Sequence, residues 1–266
     1  MSNLIVTSQS GRVRTIRLNR PAKKNALSDE LAWGIVRAVR DAAVDDSVWV
    51  VALTGTEDAF CAGLDLTGPR NPDAAPFSAQ DAQLDDIGWV GQFLLALRQS
   101  CDKPVVAGIN GVAVGAGLSL AMAADMRIVA KEARLMAGYT RIGASPDGGL
   151  SFSLTQAVGY EQAMRFMLEN RTVLGDEAVA LGMAGESVPR EALDERLESY
   201  CQSLSQWSPI TTRLTKRAIS RAATSVDLES HVRYELANIR RAFQSEDAKE
   251  AREAFIEKRS PVMQGR

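Results

Sequence analysis

The sequence predicts an α/β protein, and three observations predict it. Apolar β-type runs (Val48 to Thr54, Val105 to Ile109, Met126 to Ala130) alternate with helical periods. The first of these runs is apolar on both faces, as a parallel strand covered on two sides would be. After Gly149 the pattern turns almost wholly helical. Repeated strand–loop–helix units imply a right-handed core.

The chain has 266 residues, 45% of them hydrophobic, enough for one large domain or for one domain with a small appendage. Thirty-one basic and 33 acidic residues give a net charge of −2, which argues against a nucleic-acid binder of the counterion-releasing kind. Cys61, Cys101 and Cys201 are isolated and His231 has no ligand-spaced neighbours, so a reducing compartment and no metal are expected. The first residues, MSNLIVTSQSGRVRTI, lack the pattern of a signal peptide, and no run reaches about 18 apolar residues. A cytoplasmic location, with no membrane partner, is expected.

Taken in order, Leu4 to Ser8 and Val13 to Leu18 alternate around a Ser10-Gly11 turn and read as a hairpin. Ser28 is placed to cap a helix from Asp29 to about Ala43, since Leu31, Ile35, Val36 and Val39 share a face. After the Val48 to Thr54 strand, GTEDAFCAGLDLTG reads as a glycine-rich loop at a strand end, where α/β ligand sites lie. Residues 69–81, with three prolines, read as a mobile loop or lid. A helix over Ala82 to Ser100 should present Ile87, Val90, Leu94 and Leu97 on one stripe.

The stretch from Lys103 to Gly149 organises the rest. It runs from a strand through the small-residue turn at Gly111, Gly115 and Gly117 into a helix over Gly115 to Ala124, then into another strand and a Pro-Asp-Gly-Gly turn at 146–149. Small residues permit close backbone approach, and a helix start leaves N–H groups unpaired. Beyond Gly149, helical periods cover Ser151–Val158, Tyr160–Glu169, Gly175–Leu181, Arg190–Gln206, Thr212–Ala222, Val226–Phe243 and Ala248–Lys258, with Pro209 suited to a first helical position. The boundary between core and helical tail is expected near residue 205. The tail's apolar stripes, Ile219 among them, should pack on the core or on another subunit.

Five ordered segments together resemble the crotonase, or enoyl-CoA hydratase/isomerase, family: LNRPAKKNALS (18–28), VALTGTEDAFCAGLDL (51–66), KPVVAGINGVAVGAGLSLAMAADMRI (103–128), GASPDGGLSFSLTQAVG (143–159) and AFIEKRSPVMQGR (254–266). The resemblance implies a crotonase-type spiral ββα core over residues 1–205 that binds acyl-CoA, and a helical oligomerisation region over 206–266. It further implies a homotrimer or hexamer, an acyl-CoA thioester as substrate and no permanently bound cofactor. By motif, the backbone N–H groups of Leu64 and Ala116 would hold the thioester oxygen. Removing a proton beside a thioester makes an enolate, and donors aimed at its oxygen act where charge develops.

Hydratases of the family generally carry two glutamates, and the matching positions here are Ser119 and Tyr139, neither of which is a carboxylate base. The pattern Gly143, Ser145, Pro146, Asp147, Gly148 instead is similar to Δ3,Δ2-enoyl-CoA isomerases, which place an acid after the proline. Asp147 would then take a proton from C2 of a 3-enoyl thioester and return it to C4. An aspartate in this turn is the nucleophile of 4-chlorobenzoyl-CoA dehalogenase, but that enzyme also relies on a helix histidine, where this chain has Gln92 and Phe93. The bland alternative for Asp147 is a turn residue capping local backbone.

Lys23, Lys24, Lys258 and Arg259 would meet CoA phosphates, or else form solvated surface. Ala26 and Ala62 match positions whose backbone contacts the adenine portion. Trp89 and Phe93 would line the acyl pocket or pack in the core, Asp65 would brace the loop bearing Leu64, and His231 would be structural. The expected activity is enoyl-CoA isomerisation; alternatives are hydration, other crotonase chemistry including ring-isomer processing, and non-catalytic acyl-CoA binding.

Overall fold

The computed structural model describes residues 4–69, 71–225 and 227–266. β1 (Ile5–Ser10) and β2 (Val13–Leu18) pair antiparallel from Ile5 opposite Leu18 to Ser10 opposite Val13. α1 (Asp29–Val44) starts at Ser28, whose Oγ accepts from the Leu31 amide at 3.3 Å, and it buries the predicted face of Leu31, Ile35, Val36 and Val39. β3 (Val50–Thr54) is buried at every residue and lies parallel to β2, as its two-faced apolarity predicts.

From here each pass of the chain adds two strands, where the sequence predicts one. β3 is followed by β4 (Ala59–Cys61), inside the expected loop; then come α2 (Ala79–Leu84) and α3 (Gly88–Leu95). β5 (Val105–Ile109) is followed by β6 (Val112–Val114) and α4 (Ala116–Ala123). β7 (Met126–Ala130) is followed by β8 (Arg134–Met136), then α5 (Leu150–Val158) and α6 (Tyr160–Glu169). The extra strands are three residues long, too short for alternation to show, and they build a second sheet ordered β4-β6-β8-β9 with β9 (Val173–Leu174). α7 (Gly175–Ala180) leads to β10 (Glu186–Val188), which closes a six-stranded sheet ordered β1-β2-β3-β5-β7-β10. The result is an α/β fold with an N-terminal spiral of ββα units and a helical C-terminal region.

Three further expectations change. Residues 69–81 are not loop throughout, since a 3₁₀ turn, Pro72–Ala74, and the start of α2 fall there. The single helix over 82–100 is split, because Asp85 Oδ1 accepts from the amides of Ile87 (3.1 Å) and Gly88 (3.2 Å) and turns the chain between α2 and α3. The region after Gly149 contains the two strands β9 and β10 as well as helices.

α8 (Leu193–Leu204) lies across β2, β3, β5 and β7. α9 (Pro209–Ala222) begins with its proline in the first turn, as expected. α10 (Leu228–Phe243) is capped by Asp227; the Val226 start expected for it lies outside the described residues. α11 (Glu246–Glu257) is capped by Ser245. α9 is latched to the core: Lys216 Nζ donates to the carbonyls of Leu97 (2.6 Å) and Lys103 (2.9 Å) and pairs with Asp125 (2.7 Å), while Arg213 and Arg217 hold Asp102. α10 instead leaves Leu228, Val232, Leu236, Ile239 and Phe243 exposed. No helix among the described residues is long and apolar enough to cross a membrane.

Candidate active site

The site forms where the loop after β4 abuts the turn between β6 and α4. Gly115 adopts φ +54° and ψ −125°, a conformation side chains disfavour, and its amide donates to Met136 O at 3.2 Å. This swings the chain into α4 so that Ala116 is the first helical residue, whose amide has no carbonyl one turn back to bond. Opposite it, Gly63 at φ +95° packs so closely that a Cβ there would lie 2.7 Å from Val114 O and 3.9 Å from the Ala116 nitrogen.

Leu64 follows. It forms an isolated parallel bridge with Leu27, in which Leu27 N–H donates to Gly63 O (2.7 Å) and Asp65 N–H to Leu27 O (3.0 Å). In a parallel ladder the residue between two such bonds turns its own N–H the other way, so the Leu64 amide faces away from Leu27. Asp65 braces this loop: it pairs with Arg20 at 2.7 Å, and its Oδ1 accepts from Thr67 Oγ1 (2.8 Å), Thr67 N and Gly68 N (3.0 Å each). The Thr67 hydroxyl and amide and the Arg20 guanidinium hold its carboxyl well below the usual carboxylate range.

Two buried asparagines, which sequence pattern alone marks only weakly, lock the turn between β3 and β4, just ahead of that loop. Asn25 Nδ2 donates to Ala59 O (2.8 Å) and its Oδ1 accepts from the Arg20 amide (2.8 Å). Asn110 Nδ2 donates to Glu57 O (2.9 Å) and its Oδ1 accepts from the Gly55 amide (3.2 Å). The signals available were Asn110-Gly111, a turn dipeptide, and the polar Asn25 beside the apolar Leu27.

One turn into α4, Ser119, Tyr139 and Asp147 converge. Tyr139 sits in a 3₁₀ turn (Tyr139–Ile142) and its hydroxyl donates to Asp147 Oδ1 at 2.7 Å. Ser119 Oγ lies 2.9 Å from Tyr139 Oη, 3.0 Å from Asp147 O and 3.2 Å from Gly115 O. Tandem left-handed glycines set the aspartate there, with Gly148 at φ +58° and Gly149 at φ +75°. A Cβ on Gly148 would fall 2.8 Å from Ser119 Cβ, so only glycine lets the turn settle on α4.

Asp147 is exposed as a residue, yet desolvation of its carboxylate is the larger influence and raises its pKa, against the Tyr139 hydrogen bond, which lowers it. Burial likewise pushes the Tyr139 phenol up, so it remains a neutral donor. Cys61, at the base of the loop, is fully buried, and desolvation pushes its thiol up to about 12, which leaves it protonated and unreactive.

The sequence allows Trp89 and Phe93 either a place in an acyl pocket or one in the core. Both are core residues: Trp89 Nε1 donates to Asp29 Oδ1 at 2.8 Å, its ring packs 5.5 Å from that of Phe93, and Phe93 is fully buried. α3 therefore buries Trp89 and Phe93, the helical turn that continues it (Ala96–Ser100) buries Leu97, and the half-buried Val90 and Leu94 turn toward Gly148 and Gly149 instead. An apolar cavity of about 420 Å³ adjoins the site, sharing Tyr139 with it and lined further by Pro146, Ala163, Met164, Met167 and Leu168. A larger one, about 560 Å³, lies between α9 and α11 and shares no residue with the site.

Among the basic residues, Lys24 pairs with Asp58 at 3.2 Å, Lys23 reaches Thr67 Oγ1 at 3.2 Å, and both are exposed. Lys258 is exposed at the left-handed cap of α11 (φ 56°). The Ala62 amide is occupied by Lys24 O (3.0 Å). The Ala26 amide is occupied by Lys23 O (2.9 Å), and its carbonyl already accepts from Arg20 (2.8 Å). His231 pairs with Glu235 within α10, away from the site.

The enoyl-CoA hydratase/isomerase family model matches residues 8–266. The 2,3-dehydroadipyl-CoA hydratase of Escherichia coli K12 is 31% identical, covering 100% of both chains; the 1,2-epoxyphenylacetyl-CoA isomerase of the same organism is 30% identical, also over 100% of both. Among solved structures, an enoyl-CoA hydratase from Bacillus anthracis superposes with a TM-score of 0.87 at 29% identity, covering 99% of this chain and 100% of that one. The relatives' names divide between hydratase and isomerase, hydratase being the more frequent.

Proposed function

The chain belongs to the enoyl-CoA hydratase/isomerase family, whose chemistry acts on acyl-CoA thioesters, and from that premise we propose that it isomerises an enoyl-CoA through an enolate, with Asp147 as the proton carrier. One observation carries this reading: Asp147 is the carboxylate of the Ser119–Tyr139–Asp147 cluster, and the two side chains at the hydratase-type acid positions are a serine and a tyrosine hydrogen-bonded to it or to each other. Adding water requires a base that activates the water and an acid that protonates carbon; moving a double bond requires one group that takes a proton and returns it.

In this reading the thioester oxygen lies against the amides of Leu64 and Ala116, and the developing negative charge is met by both donors and by the start of α4. Ser119 stands three residues, about 4.5 Å of rise, along α4 from Ala116, and in this reading Asp147, held beside it, would face C2 to C4 of a substrate so anchored. The apolar end of the acyl group would enter the cavity behind Tyr139. CoA would lie along Lys23 and Lys24, with the Ala62 carbonyl left to meet the adenine and Lys258 a phosphate. Residues 206–266 would form the oligomerisation region of a homotrimer or hexamer, a proposal supported by the exposed apolar row on α10. The relatives' names favour a second reading, hydration.

The test is a 3-enoyl-CoA and crotonyl-CoA followed by mass and ultraviolet absorbance. Conjugation without gain of mass, abolished at least about 100-fold in Asp147→Asn with CoA binding kept, is the expected result. Rapid gain of water that persists in Asp147→Asn would replace this reading with hydration.

A further inference from the structure

The Ser119–Tyr139–Asp147 cluster has few protons and many acceptors, which constrains how the carboxylate can work. Tyr139 has one hydroxyl proton and gives it to Asp147 Oδ1 at 2.7 Å. Ser119 also has one, and its three neighbours, Tyr139 Oη, Asp147 O and Gly115 O, are then all acceptors. The two nearer of these are the tyrosine oxygen and the Asp147 main chain, and the serine ties whichever of them it serves in place. The Asp147 carbonyl is further held by the Leu150 amide at 3.0 Å. Both sides of the carboxylate's anchor, main chain and Oδ1, are fixed, and Oδ2 is the oxygen to which no side chain among the described residues donates.

We infer that Tyr139 is a positioning residue that reserves Oδ1, so that Oδ2 alone carries the proton from one carbon of the substrate to the other. This rests on the isomerase reading above. In the first step the C2–H bond breaks, Oδ2–H forms, and the C–H electron pair enters the dienolate. In the second, Oδ2–H breaks and C4–H forms, while the dienolate electrons restore the thioester carbonyl and leave the double bond between C2 and C3. No co-reactant is needed. Oδ1 accepts from Tyr139 in both charge states, so nothing in the cluster has to turn over between the steps. One oxygen moving between two carbons works on a single face of the substrate and returns the proton it took before solvent replaces it.

The groups facing the carboxylate are Tyr139 from the 3₁₀ turn and Ser119 from α4, with the apolar Val90 and Leu94 of α3 against the glycines that follow it. Burial raises its pKa, and the Tyr139 hydroxyl and its own backbone amide oppose that rise. The Tyr139 bond stabilises the ionised form, so its removal must raise the pKa of Asp147 and move the acid limb of activity to higher pH.

Tyr139→Phe, which keeps the ring that closes the apolar wall, is the test, with 2-deuterated 3-enoyl-CoA as substrate. Expected are a fall in kcat of about 10- to 100-fold with KM within about 2-fold, an acid limb displaced upward, and less deuterium carried from C2 to C4 than in the unmutated protein. Ser119→Ala should show the same three changes more weakly. A Tyr139→Phe protein that loses turnover through packing alone would leave the acid limb and the label transfer where they were, and that result overturns the inference. Loss of turnover in Asp147→Asn together with unchanged Tyr139→Phe behaviour sinks only the positioning role. Full turnover in Asp147→Asn sinks the isomerase reading beneath it.

Discussion

Replacing Gly117 by alanine should disable the enzyme while leaving it folded. Gly117 is the second residue of α4, and a Cβ there would stand 2.2 Å from Cys61 O and 2.8 Å from Cys61 Cβ. Ordinary contact begins at 3.4 Å, and the nearest obstacle is the backbone of β4, which has no rotamer to change. α4 and the β4 loop must therefore separate by about 1 Å. Overpacking of this kind costs about 1–3 kcal/mol, partly offset by the roughly 1 kcal/mol that alanine gains over glycine inside a helix. The net loss, about 0–2 kcal/mol, lowers the unfolding midpoint by a few degrees in a chain of this size. Activity should suffer far more. Ala116 immediately precedes the mutated residue and Leu64 follows Cys61 by three, so the two proposed oxyanion donors move apart, and a misplacement near 1 Å is worth about 100-fold in rate. Thermal unfolding beside steady-state turnover separates the two effects. A folded Gly117→Ala protein with kcat within about 3-fold of the original would refute the paired-donor geometry.

Two further outcomes concern the helical tail. Lys216→Met keeps most of the stem volume but strands the Leu97 and Lys103 carbonyls and leaves the Asp125 carboxylate with the Val105 amide (2.8 Å) and no cation, so urea denaturation should show a loss of about 3–5 kcal/mol; a change below about 1 kcal/mol would mean that α9 is held by other contacts. Arg259 and the Val262 amide depress the Glu250 carboxyl from 4.5 to about 2. A depressed carboxyl stabilises above its unfolded pKa and loses that contribution as pH falls through the folded one, so between those values the last residues should resist pepsin in the unmutated protein and be cleaved in Glu250→Gln. Equal resistance of both would show that Asp247, through its bonds to Gln264 and Gly265, suffices to hold the terminus.

Legibility followed the length scale of each physical signal. α1 was readable because a sixteen-residue helix repeats its apolar face four times and carries a serine cap. β3 and β5 were readable as covered strands because both faces are apolar. β4, β6 and β8 were not, since three residues hold barely one alternation and their pairing partners lie in other turns of the spiral. The face of α3 was misread for a different reason. Counting apolar residues favours a stripe of Ile87, Val90, Leu94 and Leu97; the fold buries Leu97 but together with Trp89 and Phe93, because the indole N–H finds Asp29 on α1, sixty residues away. A partner that distant leaves no local trace.

The site divides along the same line. Its proposed backbone half, Leu64 and Ala116, lies among glycines whose close approaches this packing requires, so it is legible by resemblance. Its side-chain half rests on three residues, and there the family diverges. Similarity to a hydratase and to an isomerase alike is what such a division produces, because most matched positions build the sheet, the spiral and the donors common to both reactions. What distinguishes the reactions is how many groups can hold a proton beside the substrate. Ser119 and Tyr139 contribute hydrogen bonds in place of carboxylates, and the Tyr139 bond partly opposes the desolvation that raises the Asp147 pKa while occupying one of its two oxygens. A second acid at either position would supply the water-activating partner that this cluster lacks, so Tyr139→Glu is the substitution through which the same backbone half would be turned toward hydration.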